Sequence, residues 1–259
     1  MPWTSALRYA KAHFALASGA EAQADAAAPL GARVGGLLRY QRAPLIRVRA
    51  AGSLFDMPAQ EQDVVRAISH VRLELSGTLW RLFTQVGNVL DDDDRFLQVL
   101  VDRQGGIAEA LACSRLTGLI PSATDVALFR GDGGTGLGAQ SYSLWADQLV
   151  SAGIPSEVLS AALGERDRLD FLRDVDPQAE FVAPFAGTEV RIDDADGTRG
   201  QNARVWFMPY VRNLADGSPE YLLIQMSAVD SRDGDPSLRV VLVEMWIAIP
   251  IEKERITIE

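Results

Sequence analysis

Apolar residues near the start of the chain fall at Trp3, Leu7, Ala10, Phe14 and Ala17, separated by four, three, four and three positions. That spacing places all five on one face of a helix, with Arg8 and Lys11 elsewhere on its circumference. The pattern predicts an N-terminal amphipathic helix. From Ser18 to Pro29 the chain is rich in alanine and includes Gly19, a composition suited to a tether rather than a core. The expected organisation is therefore a helix and tether over residues 1–29 and a globular domain over 30–259. A division into two subdomains would fall near 131–155.

Beyond Leu30 the pattern changes to short runs of β-branched and aromatic residues punctuated by Gly, Pro and Asp. Such runs predict strands at 36–40, 45–50, 71–75, 78–86, 95–102, 108–114, 203–211, 220–229 and 238–249. Two segments read as helix. In 59–69, Val64, Val65 and Ile68 share a helical face, and 155–173 carries Val158, Leu159, Ala162, Leu163, Leu169 and Leu172, with a break expected at Gly164. Strands outnumber helices without a regular strand-helix alternation. The predicted fold class is α+β, mainly β, with largely antiparallel sheets and two or so packed helices.

Composition narrows the chemistry. The 259 residues include two histidines, His13 and His70, and one cysteine, Cys113. Neutral-pH proton transfer, transition-metal binding and thiol chemistry draw first on these side chains, so their scarcity removes common catalytic designs. Cys113 cannot form an internal disulfide, and its neighbours from Ile107 to Ala112 suggest a small buried apolar residue. A net charge of −10 argues against a nucleic-acid groove, which depends on a basic surface. No stretch reaches the roughly 18 to 20 apolar residues of a membrane-spanning helix. Small residues at Ala15 to Ala20 have cleavage-like spacing, but Arg8, Lys11 and His13 interrupt the apolar region that export requires. The expected location is cytoplasmic, and no cofactor is called for.

Several acidic and glycine-rich segments are candidate sites. Asp91, Asp92, Asp93 and Asp94 concentrate four like charges in one connection, where a hard cation such as calcium or magnesium could relieve their repulsion. A solvated hairpin turn is the simpler reading. Asp193 to Gly197 and Asp230 to Asp235 invite the calcium-loop pattern. Aligning each glycine puts Ile192 and Val229 at the first ligand position, and Ala203 and Val240 at the closing one, so both read as turns. Gly131-Asp132-Gly133-Gly134-Thr135-Gly136 matches Gly-x-Gly-x-x-Gly after a possible strand at 126–129. Another glycine, Gly138, follows where a dinucleotide site needs a helix, which favours a mobile loop. The aromatics Trp80, Phe83, Trp206, Phe207, Tyr210, Tyr221 and Trp246 are expected in the core, with an exposed recognition row as the alternative.

The order of several short motifs resembles the YjfK-like family of uncharacterised bacterial proteins. The motifs are Pro29-Leu30-Gly31-Ala32-Arg33-Val34-Gly35-Gly36-Leu37-Leu38, Leu54-Phe55-Asp56-Met57-Pro58, Gln62-Asp63-Val64-Val65-Arg66-Ala67-Ile68, Asp92-Asp93-Asp94-Arg95-Phe96-Leu97-Gln98-Val99 and Glu220-Tyr221-Leu222-Leu223. The resemblance implies a gene neighbourhood with a homologue of phage-shock protein A, a membrane-remodelling coiled-coil protein, and a role near envelope stress. It supplies no catalytic residues. The expected function is that of a cytoplasmic binding or adaptor protein that engages a protein partner through its sheet surface or N-terminal helix. Trp3, Leu7 and Phe14 are the candidate contacts, with peripheral membrane docking a weaker version. Alternatives are an enzyme using carboxylates or a divalent cation, and a structural subunit of a homo-oligomer.

Overall fold

The computed structural model describes residues 28–74, 77–85, 95–231 and 240–259. The candidate contacts Trp3, Leu7 and Phe14 and the run Asp91 to Asp94 lie outside them. The described chain is dominated by antiparallel strands. β1 (Leu37–Tyr40), β2 (Gln62–Val64) and β13 (Ile256–Ile258) make a small sheet in the order β13-β1-β2.

Eight longer strands form the main body: β3 (Ala67–Leu73), β4 (Thr78–Gln85), β5 (Arg95–Val101), β6 (Ile107–Leu119), β9 (Phe185–Ile192), β10 (Gly200–Asn213), β11 (Pro219–Ser231) and β12 (Val240–Pro250). Their order is β11-β12-β6-β5-β4-β3-β9-β10, and β10 pairs back onto β11, so the sheet closes into an eight-stranded antiparallel barrel. Closure removes the open edges that would otherwise template aggregation. β10 is long enough to serve two neighbours on one side. Its first half pairs with β9, and Tyr210 and Val211 pair with β8 (Arg168–Arg173), which carries β7 (Ser141–Trp145) outward as a two-stranded extension.

Among the described residues four α-helices decorate this frame: α1 (Ala43–Ala50), α2 (Ala123–Arg130), α3 (Ala146–Ser151) and α4 (Ser156–Leu163). The predicted strand at 45–50 is thus helix α1. Pro44 in its first turn sets a helical φ, and Leu45 and Val48, one turn apart, are the two residues it buries. The predicted helix at 59–69 is instead β2 and the start of β3. The triad Val64, Val65 and Ile68 fits a helical face, but pairing of β3 between β4 and β9 sends Ala67, Ser69 and Val71 to one face of the sheet and Ile68 and His70 to the other, and tertiary pairing overrides local periodicity. The segment 126–129 belongs to α2, which Ser122 and Asp125 start with a reciprocal capping box. Over 155–173 the break at Gly164 holds, yet only α4 is helical. β8 follows, its residues alternating exposed and buried from Arg168 to Arg173.

The Gly131 to Gly138 loop is anchored at its last glycine. Gly138 donates its N–H to the Tyr210 hydroxyl at 2.9 Å and accepts from the Arg173 guanidinium. The segment after it is β7, so no helix N-terminus faces the glycines. Arg173, 2% exposed, also donates to the carbonyls of Val175 at 2.7 Å and Asp176 at 2.8 Å, tying the loop to the segment after β8. Buried apolar residues of the barrel, helices and small sheet form one continuous cluster.

Candidate binding groove on the barrel wall

Strand alternation divides the barrel residues into an inward and an outward set. Ser69 pairs with Arg81 and Arg81 with Gln98, so these three point the same way. Arg81 is 1% exposed; its Nε donates to Gln98 Oε1 on the neighbouring strand at 3.1 Å, and it reaches past its neighbours with Nη1 to Glu189 Oε2 at 3.2 Å and Nη2 to Gln225 Oε1 at 2.8 Å. Gln225 completes the layer by donating to Glu189 Oε2 and Ser227 Oγ, each at 2.9 Å. The Trp246 and Phe96 rings lie 4.9 and 5.3 Å from the guanidinium carbon. At this level the lumen is filled by side chains rather than open to a ligand, as expected for eight strands.

The outward set makes a different surface. Trp80 on β4 pairs with His70 on β3, which pairs with Val190 on β9, and Ile68 pairs with Ile192. Together with Thr188 they form the floor of a groove of about 650 Å3. The segment 28–34 walls one side through Ala28, Ala32, Arg33 and Val34, and Asp194 and Ala195 from the β9–β10 turn close an end. The His70 and Trp80 rings stack with centroids 4.4 Å apart and planes at 16°. Burial, then the neighbouring Arg72 cation, pushes the His70 imidazole below its ordinary value. It is therefore neutral at pH 7 and extends the flat apolar platform of Trp80. Val190 is 40% exposed on this floor. Size and lining fall within the range of surfaces that hold a ligand or peptide segment, roughly 300–1,000 Å3 and mainly apolar.

Of the aromatics singled out in the sequence, Trp80, Phe83, Phe207, Tyr210, Tyr221 and Trp246 are core residues, Trp206 is half-buried, and Trp80 also lines the groove. Val190 and Ile192 on this floor are not among the candidate residues read from the sequence, and Ile68 between them and the core is buried. The signal available was the alternation of β9, whose apolar Val190 and Ile192 sit opposite the charged Glu189 and Arg191. Here the charged residues point inward. Cys113 is 2% exposed, and burial pushes its thiol far above the usual range, as its apolar neighbours suggested. The Asp193 to Gly197 segment is a turn between β9 and β10, with Asp194 accepting from the Thr198 hydroxyl and the Arg199 N–H.

Among the described residues no group of three or more His, Cys, Asp or Glu could hold a metal ion, and no helix is long and apolar enough to cross a membrane. No protein-family model, curated protein or solved structure matches the chain.

Proposed function

We propose that this is a binding or adaptor protein that takes a helical segment of a protein partner into the groove on β4, β3 and β9. The observation that carries the reading is the apolar floor of Ile68, Trp80, Val190 and Ile192 on the outer face of a closed barrel. Such a face would ordinarily be polar, because the core lies on the other side. Arg33 and Arg72 on the lining favour a helix whose apolar stripe is flanked by carboxylates. A homologue of phage-shock protein A, rich in coiled coil, is the partner that the family resemblance suggests, with a cytoplasmic site of action near envelope stress.

The test is titration of a purified phage-shock-protein-A homologue into the full chain and into Val190→Asp. Position 190 is exposed, so the folded state should survive, while a carboxylate in the groove should weaken binding at least tenfold. Unchanged affinity overturns the groove as the contact. Loss of binding only on substitution of Trp3, Leu7 or Phe14 would assign it to the N-terminal segment instead. The enzyme alternative rests on carboxylates. Asp91 to Asp94 lie outside the described residues. Self-association is addressed by light scattering of the same sample.

A further inference from the structure

Ala28 is the first described residue, and it already stands in the groove wall. With Ala32 and Val34 it packs, half-buried, against the barrel core. The chain before it therefore departs from the rim of an apolar groove rather than from a distant face. In the sequence that chain carries the helical stripe Trp3, Leu7, Ala10, Phe14 and Ala17. An apolar stripe and an apolar floor on the outside of a closed barrel are thus joined by the eleven residues that lead from Ala17 to Ala28.

The dimensions agree. The floor runs along β3 from Ile68 to Arg72 and along β9 from Thr188 to Ile192, about 13 Å at roughly 3.3 Å per residue. A helix covers that length in about nine residues, close to the eight from Leu7 to Phe14. A tether of eleven residues has a root-mean-square span of about 18 Å, enough to bring the stripe back over the floor. A tether matched to the gap holds its cargo at an effective concentration on the order of 1 mM. A contact with an intrinsic dissociation constant of about 0.1 mM would then be filled in roughly nine molecules of ten.

We propose that residues 1–17 occupy the groove in cis as a helix, with Leu7, Ala10 and Phe14 against Trp80, Val190 and Ile192, and hold it closed to other helices. The gating rests on the reading that the groove seats a partner helix; the occupancy does not. A partner must displace the segment, so its apparent affinity falls with the fraction of grooves left free, about tenfold at the occupancy above. Until a tighter helix arrives, an apolar face that would invite non-specific association stays covered.

Disulfide trapping in the full chain reads the occupancy without any partner. Val190→Cys is combined in turn with Leu7→Cys, Ala10→Cys, Phe14→Cys and Ala12→Cys, the last lying opposite the apolar stripe. Cys113 is 2% exposed, so the introduced thiols are the accessible pair. The expected result is a bond within one molecule, seen as monomer by intact mass, that forms at least tenfold faster from one of the stripe positions than from position 12. Equal rates at all four positions, no bond at all, or bonds only between two molecules overturn the proposal. Gating is read by titrating the phage-shock-protein-A homologue into the full chain carrying Leu7→Asp and Phe14→Asp. Affinity about tenfold tighter than the parent's is expected, and unchanged or weaker affinity overturns the gating. If Val190→Asp leaves partner binding unaltered while the stripe still cross-links, the partner reading fails and the covered groove stands.

Discussion

Arg81 on β4 and Gln225 on β11 meet across the middle of the barrel, Nη2 to Oε1 at 2.8 Å, although their strands stand four places apart in the ring. A guanidinium in a lumen is expensive to desolvate, and here Glu189, Gln98, Gln225 and two aromatic faces offset that cost. Arg81→Met should destabilise the fold by about 3 kcal/mol, because it strands the Glu189 carboxylate, only 11% exposed, among buried amides. Adding Glu189→Gln should recover much of the loss. Chemical denaturation of the two single variants and the double variant checks this, and simple additivity would count against a coupled layer.

Asp174 gives the clearest pH signature. It is 5% exposed, and burial pushes its carboxyl up to about 7 from an ordinary 3.8. The folded protein holds this proton more tightly than the unfolded chain, so its contribution is fully present below pH 3.8 and is lost as pH rises through 7. Asp174→Asn should remove that dependence. The parent should lose stability relative to the variant between pH 4 and 8 by several kcal/mol, on the scale of roughly 1.4 kcal/mol per pH unit. Parallel melting curves at pH 5 and pH 8 report the difference, and an identical pH response in the two proteins would contradict it.

Glu220 is a second buried charge with a complete set of partners. Its Oε1 accepts from the Ser53 hydroxyl at 2.6 Å and the Leu54 N–H at 2.7 Å, and its Oε2 accepts from Arg212 Nε at 2.6 Å. Arg212 in turn donates to the Gly52 carbonyl at 2.8 Å. The node fastens the 51–56 segment to the β10–β11 hairpin. Glu220→Ala should cost about 3–5 kcal/mol, since it leaves Arg212 buried without its counter-charge. Hydrogen exchange should show faster opening at Leu54 while the β4–β5 amides stay protected.

Much of the barrel was legible because seven of its strands carry long apolar or alternating runs, as in Arg95 to Val101 and Val240 to Pro250. The errors came where two periods fit one segment. Leu45 and Val48 satisfy a helical turn as well as a strand, and Val64, Val65 and Ile68 mimic a helix until β4 and β9 are placed beside them. Closure was not legible, because it depends on β3 meeting β9 and on β6 meeting β12, contacts between segments over a hundred residues apart. The groove was hidden for a related reason. Without strand order, charged Glu189 and Arg191 look outward and Val190 inward, the reverse of what Arg81 and the lumen impose.

At Gly187 the backbones of β3 and β9 leave no room for a side chain beneath the groove. A Cβ there would sit 2.2 Å from the Arg72 carbonyl oxygen and 2.9 Å from the Leu73 Cα, both backbone atoms of the paired strand. Its backbone is not in the left-handed region, so the constraint is space alone. Gly187→Ala should therefore push β9 from β3 at a cost of about 1–3 kcal/mol, lowering the melting midpoint by several degrees. The strands that separate also carry His70, Val190 and Ile192, so partner affinity should fall together with stability. Val190→Asp, by contrast, should lower affinity alone. Measuring melting and binding on both variants separates the wall as a scaffold from the wall as a contact surface, and a Gly187→Ala protein as stable as its parent would refute the close approach of the two strands.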